Sequence, residues 1–347
     1  MNKIIEDDCI EIYREYNNYL KKLSGKKILI TGGSGFLLSY LVYLLIYFNK
    51  KNKRKINIHI IDKNTKKFDN FKHDKNLKLI KTDINKKQKF NIQYDYIIHG
   101  ASIASPVFYK KKPLETIYSN VNGLLNILEN YKFSKKLKSI IFMSSSEIYG
   151  DPDIKNIPTK ETYNGNVSCI GPRACYDESK RLGETISTIF FDKHRVPIKI
   201  IRPFNVYGPG QNLKDKRIFP DLMNNIKMNK DIVLYSDGTP TRSFCYISDQ
   251  IRGIIEVLFK GKNGQPYNIG NNEEISIKKL AKLAVKISKK KLNIKMKSNM
   301  DKTFNTDSPK RRCPDIKKMY SLNKWRPKIN LNTGLLRTIN YYEMEKR

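Results

Sequence analysis

Residues 26–38 read Lys26-Lys27-Ile28-Leu29-Ile30-Thr31-Gly32-Gly33-Ser34-Gly35-Phe36-Leu37-Leu38, and the fold follows from this stretch. A short β-branched run, Lys26 to Ile30, enters a glycine turn and passes into an apolar segment, Phe36 to Phe48: strand, turn, helix. In that setting Gly32-x-x-Gly35 lets the backbone approach a pyrophosphate, whose charge rests on the N–H groups exposed at the helix start. Further on, Ile56 to Ile61 reads as a second strand ending in Asp62. A carboxylate there accepts hydrogen bonds from both ribose hydroxyls and repels a 2′-phosphate, so the expected cofactor is NAD and not NADP. Asp62 lies farther past Gly35 than the usual ~20 positions, and the Asn49 to Lys55 loop accounts for the excess. The third position of the glycine pattern is Leu38, where a small residue normally lets the helix close on the strand. The helix is therefore expected to sit farther out, with phosphate binding by Gly32 and Gly35 retained.

Strands and helices go on alternating. Leu77 to Lys81 reads as a third strand ending before Asp83, Tyr96 to His99 as a fourth, and Ser139 to Met143 as a fifth running into Ser144-Ser145-Ser146-Glu147. Helices are expected at Thr116 to Tyr131 and around Tyr176 to Phe191, followed by a strand at Ile198 to Ile201. The fold class is α/β, a Rossmann-type doubly wound parallel sheet with a smaller C-terminal substrate-binding lobe. Residues 26–202 form the expected NAD-binding domain and 203–347 mainly the lobe, with some segments returning to the sheet. A ligand cleft belongs at the carboxyl edge between them. In residues 1–25, Ile5, Cys9, Ile12, Tyr13, Tyr16, Leu20 and Leu23 make one apolar stripe on a helix placed ahead of the sheet.

The chain has 67 Lys or Arg against 33 Asp or Glu, a net charge of +34, and is 39% hydrophobic. That apolar share is too large for a solvated tail. The lysines are spread along the whole length, which reads as a solvated basic surface that draws polyanions non-specifically. The five cysteines (9, 169, 175, 245 and 313) are odd in number and form no Cys-x-x-Cys pair, fitting a reducing compartment. His59, His73, His99 and His194 are scattered, so no metal site is expected. The most apolar run, Phe36 to Phe48, is too short for a bilayer that needs about 20 residues, so a soluble, cytoplasmic protein without a membrane partner is expected.

Tyr176 and Lys180 stand four apart on an expected helix and share one face. An ammonium beside a phenol favours the phenolate, so Tyr176 is expected to have a lowered pKa and to take a proton from a substrate hydroxyl. Tyr-x-x-x-Lys alone is also common on helix surfaces; its position after the serine-rich strand end is what gives it weight.

These segments resemble the extended short-chain dehydrogenase/reductase (NAD-dependent epimerase/dehydratase) family. Within it, Ser144 to Pro152 and Ile170 to Arg181 are similar to the UDP-glucuronate decarboxylases, the UDP-xylose synthases. Ala101 to Pro106, Arg202 to Pro209, Thr241 to Phe244 and Arg312 to Ile316 match as well. The resemblance implies a nucleotide-sugar enzyme in which NAD⁺ oxidises carbon 4 of UDP-glucuronate. It implies Tyr176 as base, Ser145 as hydrogen-bond partner of the reacting oxygen, Lys180 on the nicotinamide ribose, and Glu147 and Arg242 as further catalytic residues. It places Gly32, Gly35, Phe36, Leu37, Asp62, Asp83, Ile84, Ala101, Ser102 and Phe204 at the cofactor with Tyr176 and Lys180. It places Ser105, Tyr109, Glu147, Arg173, Asn205, Arg242 and Arg312 at the substrate. It also implies a homodimer paired through Thr116 to Tyr131 and Tyr176 to Phe191.

Ser146 then separates chemistries. The sugar 4,6-dehydratase pattern has an aspartic acid at this position to protonate a departing hydroxyl, and serine is far too weak an acid for that. Loss of CO₂ from a β-keto acid needs no such acid. The alternatives within the family are a nucleotide-sugar 4-epimerase or a 4,6-dehydratase with an altered acid. The alternative outside it is a non-catalytic basic protein that binds polyanions, and against this no compact basic-aromatic module for a specific nucleic acid is present.

Overall fold

The computed structural model describes residues 1–87, 89–297 and 309–344. The strands β1 (Lys27–Thr31), β2 (Asn57–Asp62), β3 (Leu77–Lys81), β4 (Tyr96–His99), β5 (Ser139–Met143) and β6 (Ile198–Pro203) build the central sheet, and Pro266–Ile269 returns to complete it. All pairings are parallel, in the order Pro266–Ile269, β6, β5, β4, β1, β2, β3. The chain runs outward from β1 to β3 and then restarts at β4 on the other side of β1. The crevice therefore opens at the carboxyl ends of β1 and β4.

Side chains alternate across the strands, as the two-residue period requires. Leu29, Ile61, Ile97, Ile140, Phe142 and Ile200 enter one core with α4 (Pro113–Tyr131) and α5 (Ala174–His194). Ile28, Ile30, Ile58, Ile60, Ile98, Ile141 and Ile201 enter the other, with α1 (Lys3–Lys21), α2 (Phe36–Lys51) and α7 (Ile247–Lys260). The elements not foreseen in the sequence as such include α3 (Pro106–Lys111), begun by a proline at its first position, α6 (Ile218–Lys227) and α7.

The N-terminal helix α1 packs its stripe of Ile5, Cys9, Ile12, Tyr16 and Leu20 into the same core as α2 and α7. Asp8 is buried among these contacts. It accepts from the Tyr40 and Tyr246 hydroxyls at 3.1 and 2.7 Å and from Arg337 at 2.6 Å, so its charge is paired and hydrogen-bonded. The first helix is thus tied to the C-terminal helix Leu331–Met344. No described helix is long and apolar enough to cross a membrane.

Leu38 alters the helix–strand contact in a specific way. It is buried, and a Cβ built on Gly100 would meet its Cδ1 at 2.4 Å. The small residue missing from α2 is supplied by the turn after β4, and Leu38 fills the space opposite it.

Candidate active site

The glycine turn sits at the head of the crevice. Gly32 has φ +70°, and a Cβ there would lie 2.7 Å from both the N and Cα of Ala101, so only glycine fits where the β1 and β4 turns touch. Gly35 is exposed and precedes Phe36, the first residue of α2, whose first-turn N–H groups lack intrahelical partners and receive no side-chain cap from Gly35. Asp62 ends β2, and its Oδ2 accepts from Ser34 N at 3.0 Å, which fixes the carboxylate beside the glycine turn. The hydroxyls of Ser34, Ser102 and Ser105 are buried without a hydrogen-bond partner among the described residues. A backbone cradle, an oriented carboxylate and uncommitted hydroxyls are the donor and acceptor set that a dinucleotide needs.

Other expected cofactor residues fall in different surroundings. Asp83 pairs with Lys63 at 2.9 Å and accepts from Asn85 N. Burial opposes ionisation of its carboxyl, but these bonds and Lys63 outweigh it and hold the pKa below the usual range. The Ile84 side chain is buried in the core against Gly123. Phe204 is fully buried in a small cluster with Ile148 and Tyr149, so its ring is core and only its backbone remains for a cofactor. Phe36 and Leu37 are partly buried at the start of α2.

Opposite this cradle, α5 brings Tyr176 and Lys180 to the end of β5. Lys180 Nζ donates to the Met143 carbonyl at 2.7 Å and stands 5.8 Å from the centre of the Tyr176 ring. Ser145 caps the 3₁₀ turn Ser146–Tyr149, its Oγ accepting from Glu147 N at 3.1 Å, and it hydrogen-bonds the Tyr176 hydroxyl. The structure corrects the expected pKa of the tyrosine. Burial pushes the phenol up to about 12, with the Ser145 hydrogen bond opposing, and Lys180 does not offset this. The reason is geometric: the ammonium is turned to a carbonyl, and burial brings Lys180 itself down to about 7 against the pull of Glu184. Tyr109 stacks on Tyr176 with ring centres 5.3 Å apart, its hydroxyl buried and without a hydrogen-bond partner among the described residues.

Four distant segments then converge. Glu147 receives hydrogen bonds from Arg173 through Oε2 and from Arg312 through Oε1. Burial opposes its ionisation, but Arg173, Arg312 and Arg242 outweigh that and hold the carboxyl at about 2. Arg242 donates to the Thr241 carbonyl at 2.8 Å; burial, with Arg312 nearby, lowers it to about 10. Three guanidinium groups around one permanent carboxylate leave a surplus of positive charge, which suits a multiply anionic ligand. Asn205, at φ +30°, is held at the cleft by a hydrogen bond to the Ser243 carbonyl at 3.1 Å.

Sequence reasoning missed two carboxyl groups here. Glu184 accepts from Ser144 Oγ at 2.5 Å and from Arg202 at 2.9 and 2.5 Å, securing the serine turn from behind. Asp177 lies 3.6 Å from Arg173 Nε. Both carry a signal in the sequence: Glu184 continues the four-residue ladder Tyr176-Lys180, and Arg173 to Asp177 has the same spacing.

Residues 28–270 match the NAD dependent epimerase/dehydratase family. UDP-glucuronic acid decarboxylase 6 of Arabidopsis thaliana is 38% identical over 318 residues, covering 90% of this chain and 87% of that one. UDP-glucuronic acid decarboxylase 1 of Xenopus tropicalis is 33% identical over 332 residues, covering 94% and 74%. Among solved structures, UDP-glucuronic acid 4-epimerase from Bacillus cereus, in complex with UDP-glucuronic acid and NAD, aligns with a TM-score of 0.75 at 27% identity over 92% of this chain and 99% of that one. The glycine cradle, the tyrosine–lysine pair and the extent of these matches together place the chain as a member of the NAD dependent epimerase/dehydratase family.

Proposed function

We propose that this chain is an NAD-dependent UDP-glucuronate decarboxylase, forming UDP-xylose or its 4-keto intermediate. The observation that carries the reading is the Glu147–Arg173–Arg312–Arg242 cluster beside Tyr176, an anion-accepting site in which the residue next to Glu147 is Ser146, too weak an acid to protonate a departing hydroxyl. Glu147 held at about 2 is always ionised at neutral pH. The decarboxylase names of relatives at 33–38% identity support it.

The cradle of Gly32, Gly35 and Asp62 would hold NAD, with Lys180 on the nicotinamide ribose. When bound, that group supplies a hydride acceptor for carbon 4. Tyr176 takes the proton of the carbon 4 hydroxyl while Ser145 holds the same oxygen, which becomes a ketone. The sugar is then a β-keto acid: the bond from carbon 5 to the carboxylate breaks, CO₂ leaves, and the electron pair moves to the ketone oxygen as an enolate. Ser145 and Tyr176 hydrogen-bond that developing charge. Protonation at carbon 5 restores the ketone. Arg173, Arg242 and Arg312 orient the anionic substrate.

Incubation with NAD⁺ and UDP-glucuronate should release CO₂ and yield a UDP-pentose or its 4-keto form. Turnover of UDP-glucose or dTDP-glucose with no CO₂ from UDP-glucuronate would make the enzyme an epimerase or dehydratase instead.

The proposal extends to a homodimer in a reducing, cytoplasmic setting. Leu114 and Tyr118 on α4, and Leu182 and Ile189 on α5, are exposed on two helices that pack side by side, which supports pairing with a second copy. Sedimentation at micromolar concentration should give twice the chain mass, and a monomer would refute the pairing. The five cysteines are unbridged, in keeping with such a setting.

A further inference from the structure

We propose that Asp177 is a positioning residue for the anion-binding arginines: it pairs with Arg173 at Nε while Glu147 takes Nη2, and it offsets part of the cluster's charge. The proposal rests on the decarboxylase reading of this site. Asp177 follows Tyr176 directly, but one step along a helix turns about 100°, away from the Tyr176–Lys180 face and onto that of Arg173, four residues earlier. Its Oδ2 is 3.6 Å from Arg173 Nε, whereas Arg173 Nη2 donates to Glu147. One guanidinium is therefore shared between two carboxyl groups that approach different nitrogens.

The carboxyl is buried, and its Oδ1 has no hydrogen-bond partner among the described residues. The titratable groups around it are Arg173 and its neighbours Tyr176 and Cys175 on α5, Glu147 on the 3₁₀ turn, Arg312 on the strand Arg311–Arg312, and Tyr109 on α3. Burial, reinforced by the Glu147 charge, raises the carboxyl to about 7 against the pull of Arg173 and Arg312. Glu147, at about 2, keeps its charge throughout the neutral range, whereas Asp177 gains a charge within it. As pH rises, Asp177 becomes an anion and the field that attracts the substrate weakens. No contact between Asp177 and the sugar is required.

The test is KM and kcat for UDP-glucuronate from about pH 6 to about pH 8, in the NAD-loaded wild type and in Asp177→Asn. Lys180 titrates in the same range but is common to both proteins, so the ratio of the two KM values isolates Asp177. The ratio of wild type to Asp177→Asn should rise roughly 5-fold across this range, the order expected for one charge acting through a partly solvated site. The ratio of kcat values should stay constant with pH. A KM ratio independent of pH, or an effect confined to kcat, would overturn the proposal. If Asp177→Asn does not fold, as judged by circular dichroism, Asp177→Ser takes its place with the same expectation. If neither protein releases CO₂, the decarboxylase reading fails instead. UDP-glucuronate binding by calorimetry, compared over the same pH range, then decides the role of Asp177 by itself.

Discussion

Gly32, Gly35 and Asp62 come from one continuous strand–turn–helix–strand segment, whereas Glu147, Arg173, Arg242 and Arg312 come from four separate elements. The first group binds through backbone N–H groups and shape. The second binds through charge, and it exists only once the sheet and the lobe have been assembled. The cofactor side of the cleft should therefore be sensitive to a single added methyl group, and the sugar side to a lost charge, with little crossover between them.

The largest effect belongs to the phenol between the two regions. Tyr176→Phe should lower kcat by about 10³-fold, within the 10²–10⁴ range of a positioned general base, while NAD affinity is retained. In the wild type kcat should rise with pH, because burial brings the phenol up to about 12 and the basic form grows as pH approaches that value. The rise is opposed where Lys180, at about 7, loses its proton. Tyr176→Phe should remove the rising limb; a rising limb that survives would assign the base elsewhere.

Arg312→Met breaks the sugar side. It removes one of the two guanidinium groups on Glu147 and should raise KM for UDP-glucuronate by about 10- to 100-fold, the loss of a hydrogen bond between charged groups at about 1.5–3 kcal/mol. The Kd for NAD should not change by more than about 2-fold if the regions are separate. Gly32→Ala breaks the other side. Its Cβ would meet backbone atoms of Ala101 at 2.7 Å, and a positive φ adds about 1–3 kcal/mol of strain. NAD affinity should fall by about 10-fold and the melting temperature should drop, with UDP binding preserved. A shared loss of NAD and UDP affinity in either variant would show that the two regions act as one.

The same contrast decides what the sequence alone makes legible. The edge strand β3 falls at Leu77 to Lys81 as expected, although it is only partly buried. Strands β4, from Tyr96 to His99, and β5, from Ser139 to Met143, fall where their apolar runs suggest, because buried parallel strands are short and apolar on both faces. The cradle is legible for the same reason: its contacts are local. The convergence of Arg173 and Arg312 on Glu147 depends on Arg312 lying far along the chain and pairing its strand with Thr241–Ser243, which no periodicity records. The pKa of Tyr176 is likewise set by enclosure and by where Lys180 points. Helical spacing puts the two residues on one face but does not aim the ammonium.

Leu38 is the point where the sequence departs from the glycine pattern, and it offers the smallest and most discriminating measurement. The glycine pattern expects a small residue on α2, so Leu38 alone predicts a displaced helix. The structure places the missing space on Gly100 instead, whose added Cβ would lie 2.4 Å from Leu38 Cδ1. Gly100→Ala should then destabilise by about 1–3 kcal/mol as an overpacking change. Leu38→Ala should cost about 2–5 kcal/mol as a cavity. The two substitutions together should cost less than their sum by about 1 kcal/mol, since each relieves the fault of the other. Chemical denaturation of the four proteins measures this coupling. Strict additivity would mean that Leu38 and Gly100 do not compensate, and that the helix–strand contact tolerates leucine for a reason elsewhere in α2.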